Sequence, residues 1–214
     1  MFPPLYAIID AVWLRTSELA CAEMLAESGV ELIQYRHKQI STRNLFRISQ
    51  EMAARLRSRG VRFIVNDRPD VAAMVEAGGV HVGQEDLPVE QARAICGPAR
   101  WVGVSTHTLE QVKEADATSA DYVAVGPIFA TATKEKPDAV VGTEFIARAR
   151  QLTRKPLVAI GGITLSRAPE VFAAGADSIA VAKDLLTAED PRLRAKEFLA
   201  VAAQTLARRL GKAS

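Results

Sequence analysis

Eight short, almost unbroken apolar runs, separated by amphipathic stretches, constrain the fold of this chain more than any other feature. Each run is about four to eight residues long and rich in β-branched residues, as is typical of a strand buried on both faces. Such strands occur in parallel sheets, because helices cover both faces of those sheets. The runs span residues 5–10, 31–36, 62–67, 79–83, 101–106, 122–129, 156–162 and 178–182.

The stretches between the runs have the apolar spacing of amphipathic helices. They span residues 17–28, 42–59, 69–77, 88–95, 109–117, 143–152, 165–174 and 192–210. Eight strand–helix units in 214 residues predict an α/β fold, a single (β/α)8 (TIM) barrel over residues 1–214 with its core at about 5–185 and a C-terminal helix at about 191–210. An open doubly wound sheet is disfavoured, because no Gly-x-Gly-x-x-Gly loop follows the first run.

Charge and composition exclude several classes of function. Lysine and arginine number 27 against 25 acidic residues, and the only basic cluster is the short tail at 208–212, so nucleic-acid binding is not expected. Cys21 and Cys96 lie far apart without the spacing of a zinc site. No apolar run approaches the roughly 18 residues of a membrane helix, and residues 1–4 lack a basic signal-peptide region. We therefore expect a cytoplasmic protein that binds small molecules and neither nucleic acid nor membrane.

Polar residues and glycines cluster at the predicted carboxyl ends of the strands, which form the active-site face of such a barrel. Three cations, Arg36, Lys38 and Lys134, lie at or just after the ends of strands 2 and 6. An Arg side chain can bind phosphate with two parallel hydrogen bonds. Asp67 and Asp86 supply the oxygen ligands that Mg²⁺ prefers, usually together with water and substrate phosphate. Cations beside a magnesium site indicate a polyphosphate substrate.

A second anion site is expected on the same face. Residues 131–133 offer hydroxyls in a short loop, and Gly162 allows close approach of backbone N–H groups. Two such sites suggest that two phosphorylated substrates meet there. Asp10 is interpreted as a structural residue, either a helix N-cap or a hydrogen-bond acceptor at the rim, and His81 as a satisfied core group. No Ser/His/Asp triad is assigned, because with Ser105 and three histidines in the chain such a trio arises easily by chance.

Five segments, taken in order, resemble the motifs of the thiamine phosphate synthase family. They read IQYRHK, VNDRPDVA…GGVHVGQEDLP, VGVSTH, ADYVAVGPIFATATKEKPDAVVGTE and VAIGGI…AGADSIAV. The resemblance covers about residues 5–185. It implies a (β/α)8 transferase that joins 4-amino-2-methyl-5-hydroxymethylpyrimidine diphosphate to a thiazole phosphate, or to its carboxylated form, and releases pyrophosphate. It also implies that the bond to pyrophosphate breaks first and that the thiazole nitrogen traps the resulting cation.

The resemblance further implies roles for individual residues. The pyrimidine diphosphate would be held by Gln34, Tyr35, Arg36, His37, Lys38, Asn66, Ser105 and Lys134, of which Arg36, Lys38, Ser105 and Lys134 would be catalytic. Asp67 and Asp86 would bind Mg²⁺. The thiazole phosphate would be held by Thr131, Ala132, Thr133 and Gly162 and by the backbone of Ala182 and Lys183.

Three residues depart from the family pattern. Lys183 stands where the family usually has Ser, Arg167 where it has Asn, and His37 where Glu is common. These departures affect substrate preference more than reaction type. Two alternatives stay open: a thiazole tautomerase of the same barrel family, and a non-catalytic barrel that binds a phosphate ligand. The tautomerase is disfavoured because the Asn-Asp pair and the Thr-x-Thr-Lys loop are intact.

Overall fold

Eight parallel strands close into a barrel in the computed structural model, which describes residues 2–131 and 139–211. The strands are β1 Leu5–Asp10, β2 Leu32–Arg36, β3 Arg62–Asn66, β4 Gly79–Val82, β5 Trp101–Thr106, β6 Tyr122–Val125, β7 Leu157–Ile160 and β8 Ser178–Val181. Strands adjacent in sequence pair in the barrel, and β8 closes it against β1 with Ala180 opposite Tyr6. The predicted (β/α)8 fold is confirmed.

Helices follow the strands and cover the outside of the barrel. They are α1 Glu18–Glu27, α2 Thr42–Arg57, α3 Pro69–Met74, α4 Val89–Cys96, α5 Leu109–Asp116, α6 Thr143–Leu152, α7 Ala168–Ala173, α8 Lys183–Leu186 and α9 Pro191–Gly211. Side-chain caps define several starts: Ser17 and Ser41 accept backbone hydrogen bonds, and Thr108 forms a capping box with Gln111. Among the described residues, no helix combines the length and hydropathy needed to cross a bilayer.

Five strands, β3, β4, β6, β7 and β8, end one to four residues earlier in the structure than the sequence predicts, and the structure adds one helix. β3 stops at Asn66 because Asp67 has a φ of 60°, and β7 stops before Gly161 and Gly162, whose φ values are 100° and 61°. Left-handed backbone cannot continue a strand. The additional helix is α8, whose four residues are too few to produce an apolar repeat in the sequence.

Successive side chains of each strand point to opposite faces of the sheet, and this alternation divides the core into two layers. One layer lies inside the barrel and contains Tyr6, Ile8, Leu32, Ile64, Tyr122, Ala124, Val158 and Ala180. The other lies between the barrel and its helices and includes Ile33 and Tyr35. Along β2, therefore, Gln34 and Arg36 share the inner face with Leu32. This division decides which strand residues can reach the mouth of the barrel.

Candidate active site

The carboxyl ends of neighbouring strands bring the predicted polar residues to one mouth of the barrel. Asn66 ends β3 and lies opposite His81 of β4. The backbone N–H of Asp67, the next residue, donates to the His81 carbonyl at 2.8 Å. Gln84, in the loop after β4, donates its side-chain amide to the carbonyl of Ser105 on β5 at 2.6 Å. The chain segments after β3 and β4 and the end of β5 therefore converge.

Two carboxyl groups, Asp67 and Asp86, lie side by side in this mouth. Partial burial raises the pKa of Asp86 above its ordinary value, and the adjacent Asp67 carboxyl raises it further. The backbone N–H of Gly83 donates to Asp86 at 2.8 Å and opposes part of this shift. A cation bound between the carboxylates would remove their mutual repulsion.

Lys38 extends to the same carboxylate pair. Its ammonium forms an ion pair with Asp67, and its side chain is 55% exposed. A lysine on a long, solvated stem can turn from a carboxylate to an incoming phosphate without disturbing the core. The Lys38 ammonium thus lies beside the carboxylate pair.

Arg36 points from the end of β2 into the mouth and is anchored by Asp10 at the end of β1. The guanidinium donates to the Asp10 carboxylate at 2.5 Å, and Asp10 is only 1% exposed. Asp10 also accepts a hydrogen bond from the Val12 N–H at 3.1 Å, so it is the structural acceptor interpreted from the sequence. The pair uses one guanidinium nitrogen, and the fork has further N–H donors for a phosphate.

Tyr35 and His37 pack against each other beside the end of β2. Tyr35 is fully buried in the layer between barrel and helices, and its hydroxyl donates to Glu18 of α1 at 3.3 Å. The His37 ring packs edge-on against Tyr35, with ring centroids 6.5 Å apart. This outer packing points the Tyr35 side chain away from the mouth, so only its backbone remains to contact substrate there. The contact between His37 and substrate stays a prediction. Strand alternation could have shown this for Tyr35, since Gln34 and Arg36 take the inner face.

Gln34 and Ser105, by contrast, are held by polar groups inside the barrel. Gln34 is 3% exposed, and its amide donates to the Tyr6 hydroxyl at 2.6 Å. The Ser105 hydroxyl lies 2.9 Å from Nε2 of His81, whose Nδ1 lies 3.1 Å from the Tyr122 hydroxyl. His81 is therefore a satisfied core group, as interpreted. No sequence motif singles out Tyr6 or Tyr122; the available signal was that a tyrosine inside a buried strand requires a polar partner.

The described part of the expected second anion site lies around β7 and β8. Gly162 has a φ of 61°, and a Cβ there would approach the Ala130 carbonyl to 2.5 Å, so only glycine fits. Arg167 donates to the Gly162 carbonyl at 2.9 Å, which gives this departure from the family pattern a structural role. Thr131 is described and half-buried. The predicted contacts Ala132, Thr133 and Lys134 lie outside the described residues.

Lys183 begins α8, directly after Ala182, and is exposed. Its ammonium lies over the Trp13 ring, 4.7 Å from the centroid, a cation–π arrangement. Trp13 belongs to the loop between β1 and α1, and no sequence motif singles it out. Its position in a loop after a barrel strand was the available signal.

The donor set suits magnesium better than zinc. Within residues 2–131 and 139–211, no cluster of three or more His, Cys, Asp or Glu side chains is placed to hold a metal ion. A structural or catalytic zinc site needs at least three such ligands. Mg²⁺ is commonly held by one or two carboxylates, with water and substrate phosphate completing its shell. Asp67 and Asp86 fit that requirement.

Comparison with known proteins assigns the family. A family model described as thiamine monophosphate synthase matches residues 5–185. The thiamine-phosphate synthase of Koribacter versatilis is 48% identical over 204 residues, covering 93% of this chain and 95% of that protein. The enzyme of that name from Chloroflexus aurantiacus is 42% identical over 202 residues, covering 94% and 93%. The chain belongs to the thiamine monophosphate synthase family.

A solved structure agrees with this assignment to the thiamine monophosphate synthase family. The thiamine phosphate pyrophosphorylase of Pyrococcus furiosus superposes with a TM-score of 0.86 at 34% identity, covering 95% of this chain and 96% of that one. The family predicted from the motifs is confirmed, and membership identifies the chain as a transferase. The comparisons favour neither the tautomerase nor the non-catalytic barrel.

Proposed function

We propose that this chain joins a hydroxymethylpyrimidine diphosphate to a thiazole phosphate, with release of pyrophosphate and with Mg²⁺ as cofactor. The observation that carries the proposal is the adjacent carboxyl pair Asp67 and Asp86 with the Lys38 ammonium beside it. Two acids and an exposed lysine in one mouth match a magnesium-bound diphosphate. A cytoplasmic location stays a prediction.

Asp67 and Asp86 would hold the metal. When bound, Mg²⁺ neutralises charge on the diphosphate and makes it a better leaving group. Arg36 donates to diphosphate oxygens from its anchored position, and Lys38 turns from Asp67 to the same anion. Lys134 is proposed as a third cation. Together these groups stabilise the negative charge that develops as the C–O bond breaks.

The second step of the reaction, attack by the thiazole nitrogen, does not require a general base. Cleavage leaves a cationic methylene carbon on the pyrimidine, and the thiazole nitrogen attacks it with a free lone pair. No proton has to leave that nitrogen. The task of the chain is therefore to hold the two substrates in contact, which alone can supply several kcal/mol of the barrier reduction, up to about 7–11.

The thiazole phosphate is proposed to rest against β7 and β8. The hydroxyl of Thr131 and the backbone around Gly162 and Ala182 would contact it, together with Ala132 and Thr133. The indole N–H of Trp13 is buried and has no hydrogen-bond partner among the described residues, and Lys183 lies over the same ring. This indole N–H and the Lys183 ammonium both favour an anion bound beside Trp13, which supports the proposed phosphate position.

Changing Lys183 to serine, the residue usual in the family, is expected to leave kcat nearly unchanged. The ammonium is exposed, and its contact among the described residues is with the Trp13 ring, so KM for the thiazole phosphate should rise less than about tenfold. The difference should shrink at high salt, because screening weakens an exposed charge pair. Steady-state kinetics at two ionic strengths measure both effects. A collapse of kcat in this variant would place Lys183 in bond breaking and contradict two separate anion sites.

One assay tests the proposed function directly. Purified protein is supplied with both substrates, and pyrophosphate release and thiamine phosphate formation are followed with Mg²⁺ and with a chelator. We expect equal amounts of both products, dependent on both substrates and on the metal. Isomerisation of a thiazole without pyrophosphate release would instead favour the tautomerase. Binding of either phosphate without turnover would favour the non-catalytic barrel.

A further inference from the structure

A continuous chain of hydrogen bonds crosses the inside of the barrel. The Gln34 amide nitrogen donates to the Tyr6 hydroxyl at 2.6 Å, which lies 2.9 Å from the Tyr122 hydroxyl. Tyr122 in turn lies 3.1 Å from Nδ1 of His81, and Nε2 of His81 lies 2.9 Å from the Ser105 hydroxyl. The two ends, Gln34 and Ser105, are proposed substrate contacts, whereas the three groups between them have no role in the proposed chemistry.

The middle of this chain is buried and tightly packed. Tyr6, Tyr122 and His81 are 1%, 0% and 7% exposed. Burial raises the pKa of both tyrosines, so their hydroxyls stay protonated. The Tyr122 ring stacks on His81 with ring centroids 5.5 Å apart. The same ring packs directly on Gly103, where an added Cβ atom would lie only 2.0 Å from Cζ of Tyr122. The ring therefore cannot turn to another partner.

One proton on each hydroxyl gives the chain a direction. Because Gln34 donates to the Tyr6 oxygen, Tyr6 must donate to Tyr122; within the described residues its hydroxyl contacts only those two. Tyr122 then donates to Nδ1 of His81. The imidazole consequently carries its proton on Nε2 and donates it to the Ser105 oxygen. The reverse direction would leave the buried Tyr6 proton without an acceptor, which is unfavourable.

We infer that Tyr6, Tyr122 and His81 are positioning residues that fix Gln34 as an acceptor and Ser105 as a donor toward the pyrimidine substrate. One N–H of the Gln34 amide is committed to Tyr6, which fixes the orientation of the amide, and the carbonyl oxygen is the group available to a donor such as an exocyclic amine. The Ser105 oxygen is committed to His81, which leaves its own proton for an acceptor on the substrate. The two ends are coupled, since reversing one requires reversing every link. This inference rests on the proposed function, and it adds a basis for selecting an aminopyrimidine.

We call the hydrogen-bonded series Gln34–Tyr6–Tyr122–His81–Ser105 the relay, and conservative variants of the whole chain test it. Tyr122→Phe and Tyr6→Phe remove one hydroxyl each and keep the ring. Tyr35→Phe is a matched control, because that tyrosine is equally buried but bonds outward to Glu18. We expect the two relay variants to raise KM for the pyrimidine diphosphate about tenfold. The preference for the 4-amino substrate over its 4-oxo analogue, measured as the ratio of their kcat/KM values, should fall by a similar factor. KM for the thiazole phosphate should change less than about twofold.

The control should leave both KM values and the preference near those of the unmodified protein. Relay variants that match this control, or that change KM for both substrates equally, would overturn the inference. A second measurement needs no substrate: ¹⁵N NMR of histidine-labelled protein, assigned with a His81→Asn variant, reports which imidazole nitrogen carries the proton. We expect Nε2 in the unmodified protein and a mixture in Tyr122→Phe.

A proton on Nδ1 in the unmodified protein would contradict the deduced direction. The NMR result also separates the relay from the proposed function. If no pair of substrates gave pyrophosphate but Nε2 carried the proton, the proposed function would fail and the relay geometry would stand. If the substrates turned over but Nδ1 carried the proton, the proposed function would stand and the relay would fail.

Discussion

Asn in place of Asp67 or Asp86 is expected to lower kcat by about 10²–10³-fold and to abolish the response to Mg²⁺, because each change removes one of two ligand charges for the metal that balances the leaving group. Asn is preferred to Ala here. It tolerates the φ of 60° at residue 67, and at residue 86 its side-chain oxygen can still accept from Gly83. The charge is thus removed with little change in shape.

A thermal-shift titration with Mg²⁺ provides a readout apart from activity. Partial burial and the adjacent Asp67 raise the pKa of Asp86 in the folded protein, so ionisation of Asp86 opposes folding. The metal-free protein should therefore gain stability as the pH falls through that raised pKa. Asp86→Asn should therefore be at least as stable as the unmodified protein without metal, and should lose the stabilisation by Mg²⁺.

Glu85→Gln is the matched control for the carboxylate variants, since Glu85 is an exposed acid in the same loop. It should retain turnover and the response to metal. If either Asp variant behaved like this control, the assignment of that residue to the metal would be wrong.

Arg36→Ala is expected to lower kcat/KM for the pyrimidine diphosphate by about 10- to 100-fold, since a charge-assisted contact to phosphate contributes about 1.5–3 kcal/mol. KM for the thiazole phosphate should change little, because that ligand rests against β7 and β8. Steady-state kinetics with each substrate varied in turn measure the two effects. A larger effect on the thiazole phosphate would contradict the partition between the two anion sites.

The Arg36 variant also has a cost in stability that must be separated from its effect on turnover. It leaves the Asp10 carboxylate, 1% exposed, without its partner, and breaking a buried pair in this way costs up to about 3–5 kcal/mol. Adding Asp10→Asn to Arg36→Ala should restore most of the stability in denaturant unfolding without restoring activity. Asp10→Asn alone should keep most of the activity, because Arg36 is still present. Recovery of turnover in the double variant would assign Arg36 a structural role only.

The sequence by itself determined the barrel and the family. Eight apolar runs specify the strands because a parallel sheet buries both faces of each strand, and this pattern is local in sequence. The positions of Asp67, Asp86 and Lys38 followed as well, because strand carboxyl ends in a barrel share one face. Alternation within β2 would also have separated Tyr35 from Gln34 and Arg36.

Only the tertiary structure decided which of these side chains contact one another. Tyr6 and Tyr122 are 116 residues apart and meet because the barrel closes and the inner faces of β1 and β6 point at one another. Arg36 meets Asp10 through the register of β1 with β2, and Lys183 meets Trp13 because β8 closes against β1. Such contacts depend on the tilt, register and closure of the whole sheet, which no short stretch of sequence encodes. The motif residues could therefore be read from the sequence, whereas the partners that orient them could not.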